Sequence, residues 1–187
     1  MELREAIYGR RATRQFTPAP IARPILERLI DAAIQAPSAV NSQPWHFTVI
    51  RSGALLGSIA AEAKSYMLRM AAFGDFPSHL RTTLAAEDYQ IFYHAPALVV
   101  ISARSGEWAV EDASLAAQNL MLAAHAEGLG SCWIGFAQAW LRSKEGHHAI
   151  GLEAEYTPVA PIILGFPVQA VPPVPRQPVR TRWFDEQ

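Results

Sequence analysis

"APSAVNSQPWHFTVI", residues 36–50, passes from a helix end through a polar loop into a strand, and that passage decides the class of fold. Pro37 stops the preceding helix. Ser38, Asn41, Ser42 and Gln43 supply donors and acceptors, and Pro44 stiffens the chain just before "WHFTVI", whose aromatic and β-branched residues predict a strand over 45–50. A rigid polar rim over an apolar wall suits a flat heteroaromatic ligand. An ordinary helix-to-strand connection would use the same residues.

Upstream, Leu26, Leu29, Ile30 and Ala33 share one face of a helix predicted from Pro24 to Ala36, with Pro24 suited to its first turn. A shorter helix is expected over 2–9. Between the two lies "RRATRQF", residues 10–16, with three arginines in five positions of a chain whose net charge is −1. Arg10, Arg11 and Arg14 have two readings. They decorate the solvated end of the first helix, where cations favour the C-terminal dipole, or they form a site for phosphate or paired carboxylates.

Downstream, helices are predicted over 54–72 and 79–93 with "FGDFPS" breaking them, then a buried strand at "ALVVIS", 97–102. The segment 111–127, rich in alanine and apolar on more than one face, predicts a helix that is central in the fold or at a subunit interface. "GLGS", 128–131, reads as its cap followed by a turn. "WLRSKEGHHAIG", 140–151, predicts another helix, and "PVAPIILGFP", 158–167, a strand ended by proline. The last residues differ in kind: the five prolines of "FPVQAVPPVPRQPVRTRWF" forbid a helix and predict an extended tail able to cross a surface or a partner. Its "TRWF" tip could add to a sheet edge.

At 187 residues, 50% apolar and 18% charged, the chain fits one α/β or α+β domain, 1–187, with a sizeable core. A pI near 6.6 gives no whole-surface basic field, so nucleic acid and anionic membranes are not expected partners. The longest apolar stretches run about ten residues, half of a membrane span. Cys132 stands alone, which fits a reducing cytosol, and the amino terminus lacks the apolar core of a signal peptide; a cytoplasmic protein is expected. His147 and His148 are the one close histidine pair, but neighbours on a helix point apart, so no metal site is expected. No glycine-framed nucleophilic serine is present, so a cofactor is the expected source of reactivity.

"RRATRQF", an amphipathic helix, "APSAVNSQPWHFTVI", then "AAQNLMLAAHAEGLGSCWIGF" and "PIILGFP" follow one another in an order that resembles the flavin-dependent nitroreductase family over almost the whole chain. The resemblance implies an α+β fold with a mixed, mostly antiparallel sheet flanked by helices. It also implies an intertwined homodimer whose tail, from about residue 168, reaches the partner, and one FMN in each of two interface sites. Arg10 and Arg11 then map to phosphate and ribityl contacts, with Ala12 between them and Arg14. Arg14 maps to the pyrimidine edge, where a cation would stabilise negative charge on the reduced flavin. Pro37, Ser38, Ala39 and Asn41 match the loop that arrives from the other subunit. Ile134 and Gly135 match a turn near the flavin's N5 edge, and Arg176 matches a basic tail position at the phosphate, with Arg180 the alternative.

Ala12 and Ala39 stand where a serine is common in such proteins, and Val174 where a second basic residue is frequent. Each lost neutral hydrogen bond costs on the order of 1 kcal/mol, which weakens cofactor retention without abolishing it. The segment 66–79, where the family shapes its substrate pocket, departs too far for residue-by-residue transfer. The activity implied is an FMN-dependent oxidoreductase in which NAD(P)H and then a nitroaromatic or quinone-like acceptor react by a ping-pong mechanism. The alternatives are a flavin storage protein, a flavoenzyme of dehalogenating or substrate-oxidising type, or a cofactor-free binder of phosphorylated metabolites.

Overall fold

The computed structural model describes residues 1–73 and 76–184. Its elements are α1 (Leu3–Gly9), α2 (Arg23–Ala33), β1 (Trp45–Ile50), α3 (Gly53–Phe73), α4 (Ser78–Ala85), β2 (Ala97–Arg104), α5 (Ala109–Ala126), β3 (Gly130–Trp133), α6 (Gly135–Leu141), α7 (Lys144–Ile150) and β4 (Tyr156–Gly165). The four strands form one antiparallel sheet in the order β1-β2-β4-β3. Among the described residues, parallel pairing enters only where Ala12 bridges Ser131. This is the α+β architecture expected from the sequence.

Both faces of the sheet are covered, which explains the unbroken apolar run of β2. Val99, Ile101 and Ala103 point toward α2 and α5; Leu98 and Val100 point toward α3 and α6. On the first face, Ala113, Ala116, Ala117 and Ala124 are fully buried, so their small side chains let α5 lie close on the sheet. The alanine-rich helix is therefore central in the protomer.

Pro158 and Pro161 sit in β4, an interior strand, because its amino-terminal half extends past the four residues of β3. There β4 has a free side, and a register shift between Ile101 and Ser102 marks a bulge. The exposed carbonyls are taken by α6 and what adjoins it: Gln138 Nε2 donates to the Val159 oxygen at 2.6 Å, Arg142 Nε to Pro158 at 2.9 Å and the Ile134 N–H to Pro161 at 2.8 Å. These contacts hold the Ile134–Gly135 turn against the sheet.

Four sequence expectations need correction. Helix α2 ends at Ala33, because the residue before Pro37 is disfavoured in helical geometry. The helix predicted over 79–93 stops at Ala85, and residues 86–94 form turns held by the Gln90 side chain, whose Oε1 accepts from the Phe92 and His94 N–H groups. Gly128, with φ +78°, caps α5 as expected, but Gly130 and Ser131 then begin a strand rather than a turn. The helix predicted over 140–151 is two helices, broken where the Ser143 hydroxyl accepts the Gly146 N–H and starts α7.

The tail follows the body as far as about residue 172, and no residue of 168–184 pairs as a strand; Trp183 and Phe184 are 78% and 88% exposed. Among the described residues no helix is long and apolar enough to cross a membrane.

Candidate functional site

Residues 9–16 run along the outer edge of β3. The Thr13 N–H donates to the Ser131 oxygen at 2.9 Å, Phe16 bridges Pro167, and the Val168 N–H returns to the Gln15 oxygen at 3.1 Å. Two glycines make this approach possible. A Cβ on Gly130 would lie 2.6 Å from the Thr13 side chain, and one on Gly165 would lie 2.6 Å from the Phe16 ring.

This segment borders a series of adjoining hollows. Arg10, Arg11, Thr13, His125 and Gly130 line a cavity of about 400 Å³. Ala12, Thr13 and Arg14 line one of about 280 Å³ beside the start of the tail. Arg14 also lines a cavity of about 250 Å³ with Cys132, Ile134 and Gly135, and one of about 780 Å³ with Thr82, Tyr89 and Tyr93. Volumes in this range accommodate cofactor-sized ligands.

The charge along the series is mainly positive, and Asp88, in the wall of the 780 Å³ cavity, is the one acidic side chain lining it among the described residues. Burial, then Arg11, then Arg176 lower the pKa of Arg10, so the structure gathers three guanidinium groups at one end. Among the described residues none of them, nor Arg14, is ion-paired; the two ion pairs present are Arg23–Glu27 and Arg28–Glu127. Arg11 is also a helix cap, its Nη1 donating to the Tyr8 oxygen at 2.7 Å and the Arg10 oxygen at 2.8 Å. The helix-end reading therefore holds for Arg11, which closes α1, while Arg10 is partly buried among cations. The Arg11 Nε is buried without a partner. In the tail, Arg176 lies near enough to Arg10 to lower its pKa further. His125, in the same cavity, has its pKa lowered by burial and then by Arg10 and Arg11.

Gly135 opens α6 facing the 250 Å³ cavity. Its φ is not positive, and a Cβ there would meet nothing within 4 Å, so neither backbone conformation nor packing within the protomer requires glycine. The space in front of it is open. Burial is the main influence on the Cys132 thiol in the same wall and pushes its pKa up, opposed by Arg14 and Arg10.

Pro37, Ser38, Ala39 and Asn41 lie elsewhere. Their loop precedes β1, at the opposite edge of the sheet from β3, and three strand spacings of about 4.8 Å put the two edges about 14 Å apart. The loop is strained: Val40, Asn41 and Gln43 have φ of 48°, 55° and 47°, and Val40, β-branched in a left-handed conformation, is 98% exposed. Much of its polarity is spent internally. Ser38 Oγ accepts the Gln43 N–H at 2.9 Å, and Asn41 Oδ1 accepts from Gln43 Nε2 at 3.0 Å. The anchor is Asp112, which sequence reasoning passed over: its Oδ1 accepts the Ala39 N–H at 2.9 Å and its carbonyl accepts the Trp45 indole N–H at 3.0 Å. It is 4% exposed, and a carboxylate in the first turn of a helix gives no other sequence signal.

A sheet covered on both faces carries arginine-lined hollows along one edge and a strained polar loop at the other, an α+β architecture. The chain belongs to the nitroreductase family: the model of that family matches residues 7–166. A Methanothermobacter thermautotrophicus protein with a provisional NADH dehydrogenase/NAD(P)H nitroreductase designation is 29% identical over 175 residues, covering 90% of this chain and 79% of its own. A Thermus thermophilus NADH dehydrogenase is 26% identical, covering 96% and 93%. Among solved structures, a Bacteroides fragilis nitroreductase with bound FMN superposes with a TM-score of 0.81 at 27% identity, covering 96% and 95%.

Proposed function

We propose that this protein is an FMN-dependent NAD(P)H oxidoreductase, a single domain that works as a homodimer with two cofactor sites. Each site takes residues 10–14, 134–135 and Arg176 as one cluster and residues 37–41 from the partner subunit. The support for two subunits is geometric: the two sets of residues occupy opposite edges of one sheet. Leu3, Ile7 and Tyr8 of α1, Leu115 of α5 and Val40 expose apolar surface suited to burial against a second copy. The tail, which has no strand partner in its own protomer, is long enough to cross to it.

The observation that carries the cofactor is the cluster of Arg10, Arg11 and Arg176 with no anion among the described residues. An FMN phosphate brings between one and two negative charges near neutrality and accepts bidentate guanidinium bonds. The bare face of Gly135 fits a flat ring in the same way, since a Cβ would project into that space. When bound, FMN supplies the redox chemistry between NAD(P)H and an electron-poor acceptor such as a nitroaromatic or a quinone. The chain's part is to hold and polarise. Arg10 with Arg176 anchors the anionic end, and Arg14 places positive charge beside the ring. Gly135 and Phe136, at the start of α6, line the same cavity, and their N–H groups have no intrahelical acceptor.

Because one cavity receives reductant and acceptor in turn, initial-rate lines should be parallel. The deciding experiment is the visible spectrum of the purified protein before and after anaerobic NADH or NADPH. A yellow protein bleached by either supports the proposal. A yellow protein that neither bleaches is a storage protein, and a colourless one that ignores added FMN refutes the cofactor.

A further inference from the structure

The turn after α4 is built at some conformational cost. Tyr93 and His94 have φ of 52° and 55°, two successive bulky residues in the left-handed region. Three sets of contacts hold them there. Lys64 Nζ donates to the Ala86 and Tyr89 oxygens at 2.7 Å each, Gln90 Oε1 accepts the Phe92 N–H at 2.6 Å and the His94 N–H at 3.3 Å, and Ile91 and Phe92 are fully buried. The result is a pair of phenols, Tyr89 and Tyr93, with ring centroids 5.7 Å apart, planes at 86° and hydroxyl oxygens 2.9 Å apart.

The pair separates and lines both the 250 Å³ cavity of Gly135 and the 780 Å³ cavity of Thr82. Arg14 lines both as well, its Cζ 5.9 Å from the centroid of the Tyr93 ring. One hydroxyl proton is consumed between the two oxygens. The other has no acceptor among the described residues, so the pair offers one free O–H beside the Arg14 guanidinium, which forms no ion pair there although Asp88 lines the larger cavity. Burial first and the Tyr93 hydroxyl second push the Tyr89 pKa upward, which keeps the Tyr89 hydroxyl protonated and able to donate.

We propose that the Tyr89–Tyr93 pair with Arg14 is the subsite that orients the acceptor, taking the oxygen-bearing edge of a flat aromatic: a nitro, quinone or carboxylate oxygen. This rests on the reading that the adjoining cavity holds FMN. The ring faces supply stacking surface, the free phenol and the guanidinium supply the polar end, and aromatics without an oxygen substituent are selected against.

The test is equilibrium titration of the oxidised holoprotein, without NAD(P)H, with 4-nitrobenzoate and with toluene as the oxygen-free control, followed by flavin absorbance. Tyr89→Phe/Tyr93→Phe keeps both rings and removes both hydroxyls. It should weaken 4-nitrobenzoate about five- to tenfold, the size of one neutral hydrogen bond, and leave toluene and FMN affinity unchanged. Equal 4-nitrobenzoate affinity in variant and native protein would overturn the proposal. So would a loss of FMN affinity of the same size, which would make the phenols cofactor contacts. Should the native protein take up no FMN, the reading it rests on fails separately, and calorimetry of the same titration on the apoprotein still decides whether the hydroxyls matter.

Discussion

Asp112→Ala removes the one side-chain anchor of the strained loop. The carboxylate is buried, accepts the Ala39 N–H at 2.9 Å and lies in the first turn of α5. A hydrogen bond to a charged group contributes about 1.5–3 kcal/mol, and the charge near the helix start adds about 0.3–1 kcal/mol. For a chain of this size each kcal/mol moves the thermal midpoint by about 2–4 °C, so the midpoint should fall by at least about 4 °C. Asp112→Asn loses the charge but keeps an oxygen acceptor, and should fall about half as far. Val40, Asn41 and Gln43 would be released from their left-handed conformations, so the alanine variant should also retain less FMN, read as the 450 nm to 280 nm absorbance ratio. Scanning calorimetry at one protein concentration measures the first effect, since the midpoint of the proposed dimer would depend on concentration. Equal midpoints for the alanine, asparagine and native proteins would refute the assignment of Asp112 as the anchor.

Arg10→Ala should weaken FMN binding by about 1.5–3 kcal/mol, or about 10- to 150-fold, in a fluorescence titration; unchanged affinity would take Arg10 out of the site. His125 makes the apoprotein sensitive to pH. Its folded pKa is lowered by burial, Arg10 and Arg11, so the folded state binds fewer protons than the unfolded one. Its contribution is fully present above the unfolded value of about 6.5 and is lost as pH falls through that value toward the folded one. Urea midpoints at about pH 7.5 and 5.5 should therefore converge in His125→Gln relative to native protein, and an identical difference in both would show that His125 is not the titrating group.

The strand over 45–50 was legible to the residue because β-branched and aromatic side chains crowd six positions between Pro44 and a polar break. The strand at Gly130–Trp133 was not, being four residues long and opening on the glycines that cap α5. The overextended helix at 79–93 failed for a different reason. Nothing in "AAEDYQIFY" breaks a helix; what stops it is tertiary, with Lys64 of α3 taking the Ala86 and Tyr89 carbonyls and Gln90 folding onto the turn. The same error hid the phenol pair, since an i, i+4 spacing on a helix reads as a packing stripe. In the site, the arginine run was conspicuous as charge density, but its division into a capping Arg11 and a desolvated Arg10 depends on where α1 ends. The expectation placed on 66–79 falls partly outside the described residues, at 74–75. Among the described residues, the walls beside Arg14 come from 82–94 and 132–136.

The placement of the arginine segment and the 37–41 loop at opposite margins of one sheet has a genetic corollary. In the proposed symmetric dimer each pocket would borrow one component from each copy, so lesions in the two components can be sorted between pockets. Co-expressing a copy carrying Arg10→Ala with one carrying Asp112→Ala would put both defects into one pocket of the mixed dimer and leave the other pocket wild type. Two parents weakened in FMN retention would then yield a hybrid in which one pocket of the two holds FMN with native affinity.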